Sequence, residues 1–291
     1  MRVALSSHLS YCSGVRKTIA LVEDLLARHP ERAFYMYGEI VHNETVIAGL
    51  RAKGLRMIRA LDETDRRGSV IIPSHGAALH VFEELRARKI DVIDATCPMV
   101  QVIQSKARRL EEEGCLPVII GDPRHDEVRG IAGHVTRAVV LRTPADATAE
   151  RFAGVVRAGV VVQSTFIQSE AEAIVEALRR VVPEVRFENT ICRPTIDRQE
   201  EVRRVAGLFD TILVVGSWRS ANTRHLFDLA GGGKARVHLV DDPEKVPGLP
   251  IPAEASVFIT SGASTPMSAI DRVVELLEMG NAGPPREAGR G

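Results

Sequence analysis

Short apolar runs alternate along the chain with longer segments in which apolar residues recur every three or four positions. The runs that have the length and the β-branched content of buried strands are AFYMYGEIV, SVIIPSHG, DVIDATC, LPVIIGD, GVVVQST, TILVVGS, RVHLVDD and SVFITSG. The longer segments predict helices at about residues 13–28, 77–88, 98–113, 168–181, 197–208, 220–230 and 266–279. Such alternation is typical of α/β proteins with parallel sheets.

Three cysteines mark a weak internal repeat. Cys12, Cys97 and Cys192 each follow a strand-like run and open a helical segment, and they stand 85 and 95 residues apart. The repeat predicts three related α/β units with one cysteine at the same topological position in each. The predicted units are residues 1–96, 97–191 and 192–281. The polar tail of residues 282–291 is expected to be disordered.

The position of these cysteines suggests metal binding. Cys97 directly precedes Pro98, which is tolerated in the first turn of a helix, and unsatisfied N–H groups at such a helix start favour a thiolate. Three thiolates are the ligands of a 4Fe-4S cluster in which one iron lacks a cysteine. Zinc bound by the cysteines and a histidine is the alternative, but the chain lacks the short-spaced ligand pair usual in zinc sites. Cys115 precedes a strand and is predicted to be a buried structural thiol.

Polar side chains follow the ends of the predicted strands. Ligands of parallel sheets bind at the carboxyl ends of the strands. The side chains found there are His42, Asn43, His75, His125, Glu127, Ser164, Thr165, Ser217, Ser220, Asn222, Thr260, Ser261, Ser264 and Thr265. Taken singly, a serine or asparagine is explained as a helix cap and a histidine as a hydrogen-bonded surface residue. Their recurrence at one end of successive strands predicts a site that binds a phosphate or diphosphate.

Composition excludes several classes of protein. The 291 residues include 38 Lys and Arg against 38 Asp and Glu, so there is no overall field to attract nucleic acid or an anionic membrane. The chain has neither a signal-peptide pattern nor a run of about 18 apolar residues, and we expect a cytoplasmic protein. Four cysteines without a close pair argue against a disulfide framework.

Ten short motifs occur in order along about residues 2–279. They are CSGVRKTI, EIVHN, SHG, DATCPMV, HDEVRG, VQST, CRPTIDRQEEV, VVGSWRSANTRHL, VDDPEKV and TSGASTP. In order and spacing they resemble the 4-hydroxy-3-methylbut-2-enyl diphosphate reductase family. The resemblance implies three α/β units in a trefoil around one 4Fe-4S cluster. It also implies an oxidoreductase that forms isopentenyl and dimethylallyl diphosphate, in the last step of the methylerythritol phosphate pathway. Because the sequence shows no second cysteine group and no flavin motif, we expect the electrons to come from a ferredoxin or flavodoxin.

The resemblance implies roles for individual residues. Cys12, Cys97 and Cys192 match the cluster ligands. Glu127, two residues after His125 on the same predicted loop, matches a proton-delivering carboxylate. The residues that match the substrate pocket are His42, His75, His125, Ser164, Thr165, Ser220, Ala221, Asn222 and Ser264.

Several positions depart from the family pattern. LSYCSGV stands where the family usually has RGFCAGV, so Ser10 replaces a glycine and Ser13 an alanine. Ile196 and Asp197 replace threonine and asparagine after the third cysteine, and Ala221 replaces a serine. These changes leave open a divergent paralogue that reduces another hydroxylated, phosphorylated substrate. A non-enzymatic iron-sulfur sensor is a lesser alternative, because it would need neither the carboxylate nor the three histidines.

Overall fold

Every strand pairing in the described part of the chain is parallel. The computed structural model describes residues 1–65 and 67–281, so the predicted disordered tail lies outside the described residues. The strands are β1 (Arg2–Leu5), β2 (Phe34–Tyr37), β3 (Arg56–Ile58), β4 (Ser69–Ile72), β5 (Asp91–Asp94), β6 (Leu116–Ile120), β7 (Val139–Leu141), β8 (Arg157–Val162), β9 (Glu184–Phe187), β10 (Thr211–Val215), β11 (Arg236–Val240) and β12 (Ser256–Ser261). The predicted α/β class with parallel sheets is confirmed.

The helices cover the sheets, and six of them follow the predicted positions closely. They are α1 (Ser13–Arg28), α2 (Glu44–Ala52), α3 (Leu79–Ala87), α4 (Pro98–Glu112), α5 (Asp126–Ala132), α6 (Gln168–Arg179), α7 (Arg193–Val205), α8 (Ala221–Gly231) and α9 (Met267–Asn281). α7 begins four residues earlier than predicted, because Pro194 lies in its first turn, where a missing N–H is tolerated. No helix in residues 1–65 and 67–281 combines the length and apolar character needed to cross a membrane.

The three sheets share one strand order. Read from corresponding edges, the orders are β3-β2-β4-β5, β7-β6-β8-β9 and β11-β10-β12-β1. The same hydrogen bond recurs in each sheet. The glycine directly after β2, β6 or β10 donates its N–H to the last residue of the neighbouring edge strand, at 2.7 to 2.9 Å. The chain therefore repeats one four-strand pattern three times.

The first strand belongs to a different sheet from the one its position in the chain suggests. β1 falls in the predicted unit of residues 1–96, but it pairs with β12, with Arg2 opposite Ser256 and Leu5 opposite Ile259. The reason is apolar burial, because Val3 packs against the core of β10, β12 and α9. Residues 1–12 and 197–281 accordingly lie in one compact unit, and residues 13–196 form the other.

Helix α4 shows how the apolar pattern builds the core of the unit of residues 13–196. Val100, Ile103, Ala107 and Leu110 are buried on one face of this helix, at the spacing expected for an amphipathic helix. Cys115 lies in the same cluster and is 4% exposed. It is the buried thiol that the sequence predicted, at the start of β6.

Candidate functional site

Most predicted site residues lie on two equivalent loops of each sheet. The loop after the first central strand (β2, β6 or β10) carries His42, His125 and Ser220, respectively, and Asn222 follows Ser220 in the first turn of α8. The loop after the second central strand (β4, β8 or β12) carries His75, Ser164 and Ser264. Because parallel strands end at one edge of a sheet, the two loops of each sheet lie at the same edge.

The first of these loops ends at a helix cap in every sheet. The side chains of Asn43, His125 and Ser220 accept a backbone N–H from the first turn of α2, α5 and α8. This geometry corrects the expectation that Glu127 lies on a loop, because Glu127 is the second residue of α5. A histidine is an unusual N-cap, so this helix start could not be recognised from its capping residue.

Each predicted iron ligand follows the fourth strand of its sheet. The N–H of each cysteine donates to a carbonyl in the loop after the neighbouring central strand: Cys97 to Ser74 at 2.9 Å, Cys192 to Ser164 at 3.0 Å, and Cys12 to Ala263 at 3.1 Å. Among the described residues none of the three cysteines forms a disulfide, and all three are partly exposed. Each stands immediately before a helix, at the start of α4, α7 or α1.

The donor chemistry fits an iron-sulfur cluster, whose irons are held by cysteine thiolates. Among the described residues, no group of three or more His, Cys, Asp or Glu side chains could hold a metal ion. The cysteine ligands of a four-iron cluster bind different iron atoms, so they need not converge on one point. Cys12 belongs to one compact unit, and Cys97 and Cys192 belong to the other. The three-cysteine ligand set stays a prediction.

Three histidines lie together in the unit of residues 13–196. The His42 ring stacks on His75 with centroids 6.0 Å apart and meets His125 edge-on at 5.2 Å. His42 Nδ1 is 3.1 Å from a Glu39 carboxylate oxygen, and His75 Nε2 is 3.7 Å from Asp126. Burial, assisted by the neighbouring imidazoles, lowers the pKa of His75 and of His125 to about 3. Both rings are therefore neutral near pH 7.

One hydrogen bond fixes which nitrogen of His125 carries the proton. The backbone N–H of Glu127 donates to His125 Nδ1 at 3.2 Å. Because Nδ1 is the acceptor, the proton of the neutral ring is on Nε2. A neutral His125 can thus donate one N–H to a substrate oxygen without becoming charged.

Glu127 is a buried carboxyl group with two donors aimed at it. Glu127 is only 3% exposed. Its carboxylate oxygens accept the Ser164 N–H at 2.6 Å and the Ser164 hydroxyl at 2.7 Å. Burial raises the pKa of Glu127, and the two bonds from Ser164 partly oppose that rise. Such a carboxyl group is suited to proton transfer near neutral pH.

Ser164 connects two predicted functional groups. Sequence reasoning placed its hydroxyl in the substrate pocket, whereas the structure shows that hydroxyl donating to Glu127. The Ser164 carbonyl accepts the N–H of Cys192. Thr165, the next residue, accepts a hydrogen bond from Gln163 at 3.2 Å.

The unit of residues 1–12 and 197–281 contains buried polar atoms that lack a hydrogen-bond partner among the described residues. Among these atoms are both amide atoms of Asn222 and the hydroxyls of Ser264 and Thr223. Each of the three residues is at most 7% exposed. A buried polar group without a partner costs free energy, so these atoms fit a site that a polar ligand completes. Thr223 was not predicted as a site residue, although Thr223 lies within the SWRSANTRHL segment.

The altered position Ala221 begins α8. Ser220 caps this helix by accepting the N–H of Thr223 at 3.4 Å, and Ala221 is buried as the first helical residue. The missing hydroxyl at residue 221 therefore leaves the cap itself intact.

A family model described as LytB protein matches residues 3–278. The chain belongs to the LytB family. Members of this family are iron-sulfur enzymes. Relatives named 4-hydroxy-3-methylbut-2-enyl diphosphate reductase include one from Dechloromonas aromatica, which is 33% identical over 94% of this chain and 90% of its own length. The relative of the same name from Acidothermus cellulolyticus is 34% identical over 95% of this chain and 82% of its own length.

Solved structures share the LytB fold with this chain. The Plasmodium falciparum E-1-hydroxy-2-methyl-but-2-enyl-4-diphosphate reductase has a TM-score of 0.86 over 98% of this chain and 89% of that one, and at 24% identity it shows the fold alone. A second structure, of (E)-4-hydroxy-3-methyl-but-2-enyl diphosphate reductase, the terminal enzyme of the non-mevalonate pathway, has a TM-score of 0.70 at 28% identity. It covers 96% of this chain and 100% of its own.

Proposed function

We propose that this chain reductively removes the hydroxyl group of 4-hydroxy-3-methylbut-2-enyl diphosphate, the last step of the methylerythritol phosphate pathway. Two electrons and two protons convert the allylic alcohol into water and either isopentenyl or dimethylallyl diphosphate. Membership of the LytB family and the shared name of the relatives support this substrate. The structural observation that carries the proposal is the buried Glu127 carboxyl group, because the reaction needs a proton donor shielded from bulk water.

We assign Cys12, Cys97 and Cys192 as the ligands of one 4Fe-4S cluster per chain, in which one iron lacks a cysteine. The partial exposure of the three cysteines and their equivalent positions in the three sheets support this assignment. When bound, the cluster would supply electrons and a Lewis-acidic iron that makes hydroxide a better leaving group.

The other assigned residues bind the substrate by hydrogen bonds or deliver a proton to it. Neutral His125 donates its Nε2–H, His42 lies against it, and His75 stacks on His42 to complete a group of imidazole donors. In the other unit, the amide of Asn222 and the hydroxyl of Ser264 have the unused hydrogen-bonding capacity that a diphosphate requires. We also assign Thr165, Ser220 and Ala221 to diphosphate binding. Ser164 holds the carboxyl group of Glu127 in the position from which it delivers the proton.

The reaction requires an external source of electrons. We propose a ferredoxin or flavodoxin as the physiological donor, and a cytoplasmic location remains part of this proposal. The relatives described above carry the name of one reductase, so we propose a single substrate.

An anaerobic assay tests this function. Reconstituted protein is incubated with 4-hydroxy-3-methylbut-2-enyl diphosphate and a strong chemical reductant, and both alkenyl diphosphates are quantified. Glu127→Gln keeps the size of the side chain and one oxygen that accepts the Ser164 N–H, but removes the transferable proton. We therefore expect kcat to fall by about two to four orders of magnitude with little change in KM. Glu170→Gln, which alters an exposed glutamate in the first turn of α6, is the control. No turnover by wild-type protein with an intact cluster would contradict the proposal.

A further inference from the structure

Two described residues other than glycine have a positive backbone φ angle, Lys89 at 55° and Ser10 at 65°. Lys89 has an ordinary explanation. It follows the carboxyl end of α3, where its N–H donates to the Arg86 carbonyl at 3.0 Å, and helices often end with a residue in this conformation. Ser10 ends no helix. It is a buried residue of the segment between β1 and α1, two residues before Cys12.

Three hydrogen bonds hold Ser10 in this conformation. Its N–H donates to the Ser261 hydroxyl at 2.8 Å, and its own hydroxyl donates to the Thr265 carbonyl at 3.1 Å. Its carbonyl accepts a hydrogen bond from the buried Arg198 guanidinium at 2.8 Å. All the hydrogen-bonding groups of Ser10 are thus engaged, and the side chain is one of the anchors.

Ser10 and Cys12 are held by the same loop, between β12 and α9. Thr265 lies in the loop between β12 and α9, and the N–H of Cys12 donates to Ala263 in the same loop. Ser10 and Cys12 therefore attach to one loop at two points, with only Tyr11 between them. With both ends of this three-residue stretch held, the direction of the Cα–Cβ bond of Cys12 is also restrained.

We propose that Ser10 is a positioning residue for Cys12. The family pattern has a glycine at this position, which reaches a positive φ without strain but has no side chain to anchor it. In this chain Ser10 lacks the conformational freedom of glycine, and its hydroxyl instead holds the backbone through a hydrogen bond to the Thr265 carbonyl. A metal ligand held in its binding direction loses less conformational entropy when it binds, so the bond strengthens the hold of Cys12 on iron. The inference rests on the proposed role of Cys12 as a cluster ligand.

Two substitutions separate the hydroxyl from the backbone conformation. Ser10→Ala removes the hydrogen bond to Thr265 and keeps a β-carbon at positive φ. Ser10→Gly removes the same bond and also the steric strain of a β-carbon at positive φ. Lys89→Gly is the matched control, because it removes the backbone strain at the other positive φ and leaves the cysteine segment unchanged. The full chain is reconstituted anaerobically, and three properties are measured: iron per chain, the rate of iron loss to a chelator, and the EPR spectrum of the reduced cluster.

We expect both Ser10 variants to lose iron about tenfold faster than wild type, the effect typical of losing a group that orients a metal ligand. Ser10→Gly should unfold at nearly the wild-type temperature, so that faster iron loss cannot be attributed to misfolding. Lys89→Gly should lose iron at the wild-type rate. Wild-type iron loss and EPR spectra in both Ser10 variants would overturn the inference.

Cys12→Ser in the same assay tests the ligand role of Cys12 separately from the positioning role of Ser10. Loss of the cluster in Cys12→Ser, together with unchanged Ser10 variants, contradicts only the role of Ser10. A wild-type cluster in Cys12→Ser contradicts the ligand assignment and the role of Ser10 together.

Discussion

At the scale of single residues, opposing effects meet at Glu127. Burial raises its pKa, because a charged carboxylate is poorly solvated in the protein interior. The two donors of Ser164 and the position in the first turn of α5 favour the charged form. Burial is the larger effect, so the carboxyl group keeps its proton to a higher pH than an exposed glutamate does.

This balance predicts a pH-dependent stability difference between wild type and Glu127→Gln. Since the folded protein binds this proton more tightly than the unfolded chain, wild-type stability should fall as pH rises from the ordinary glutamate pKa through the raised one. Glutamine does not titrate, so the variant should lack this part of the decline. We expect the variant to gain in relative stability as pH rises above about 4.5, the ordinary glutamate pKa.

Thermal unfolding of both proteins across that pH range measures the difference. All other titrating groups are common to the two proteins and largely cancel. Parallel stability curves would show that Ser164 offsets the burial of Glu127 completely.

At the scale of secondary-structure elements, the apolar pattern predicted the central strands and the long helices. The strands β3 and β7, which were missed, and β1 and β9, which were indicated only as strand-like runs before Cys12 and Cys192, are all at sheet edges. They are three or four residues long and only partly buried, so they lack the continuous apolar run of a central strand. The missed helices α2 and α5 have nine and seven residues, too few turns for a clear helical period.

The missed helix α5 makes a close contact that the sequence could not reveal. The carbonyl of Gly133 at its end accepts the Leu79 N–H at 3.2 Å, where α3 begins. A β-carbon on Gly133 would lie 2.2 Å from the β-carbon of Ala78. Glycine is needed here for space, because its φ of −74° is open to any residue.

We therefore expect Gly133→Ala to lower the free energy of unfolding by about 1 to 3 kcal/mol through overpacking. The control is Gly49→Ala in α2, where no atom lies within 4 Å of the added β-carbon. This control should raise stability by up to about 1 kcal/mol, because alanine favours helix more than glycine does. Chemical denaturation measures both. A Gly133→Ala protein as stable as wild type would show that α3 and α5 separate without cost.

At the scale of the whole molecule, the chain is one supersecondary pattern used three times. The cysteine spacing was enough to predict the repeat, since each thiol follows the fourth strand of a sheet. The spacing could not show that β1 completes the last sheet. Its partner is about 250 residues away, and the pairing is decided by burial against β12 and not by local sequence. The site residues could be predicted as a set for the same reason, whereas the bond from Ser164 to Glu127 depends on side-chain geometry.

The repeat makes a prediction about the four thiols. Because Cys12, Cys97 and Cys192 occupy equivalent positions, replacing any one by serine should prevent a stable cluster, with equal severity in the three variants. Cys115 stands at the opposite end of its strand in an apolar cluster, so Cys115→Ala should retain near-normal iron and lose only packing energy. Iron and sulfide per folded chain after anaerobic reconstitution measure the effect. A chain that needs Cys115 for its cluster and dispenses with one of the other three would contradict the equivalence of the units.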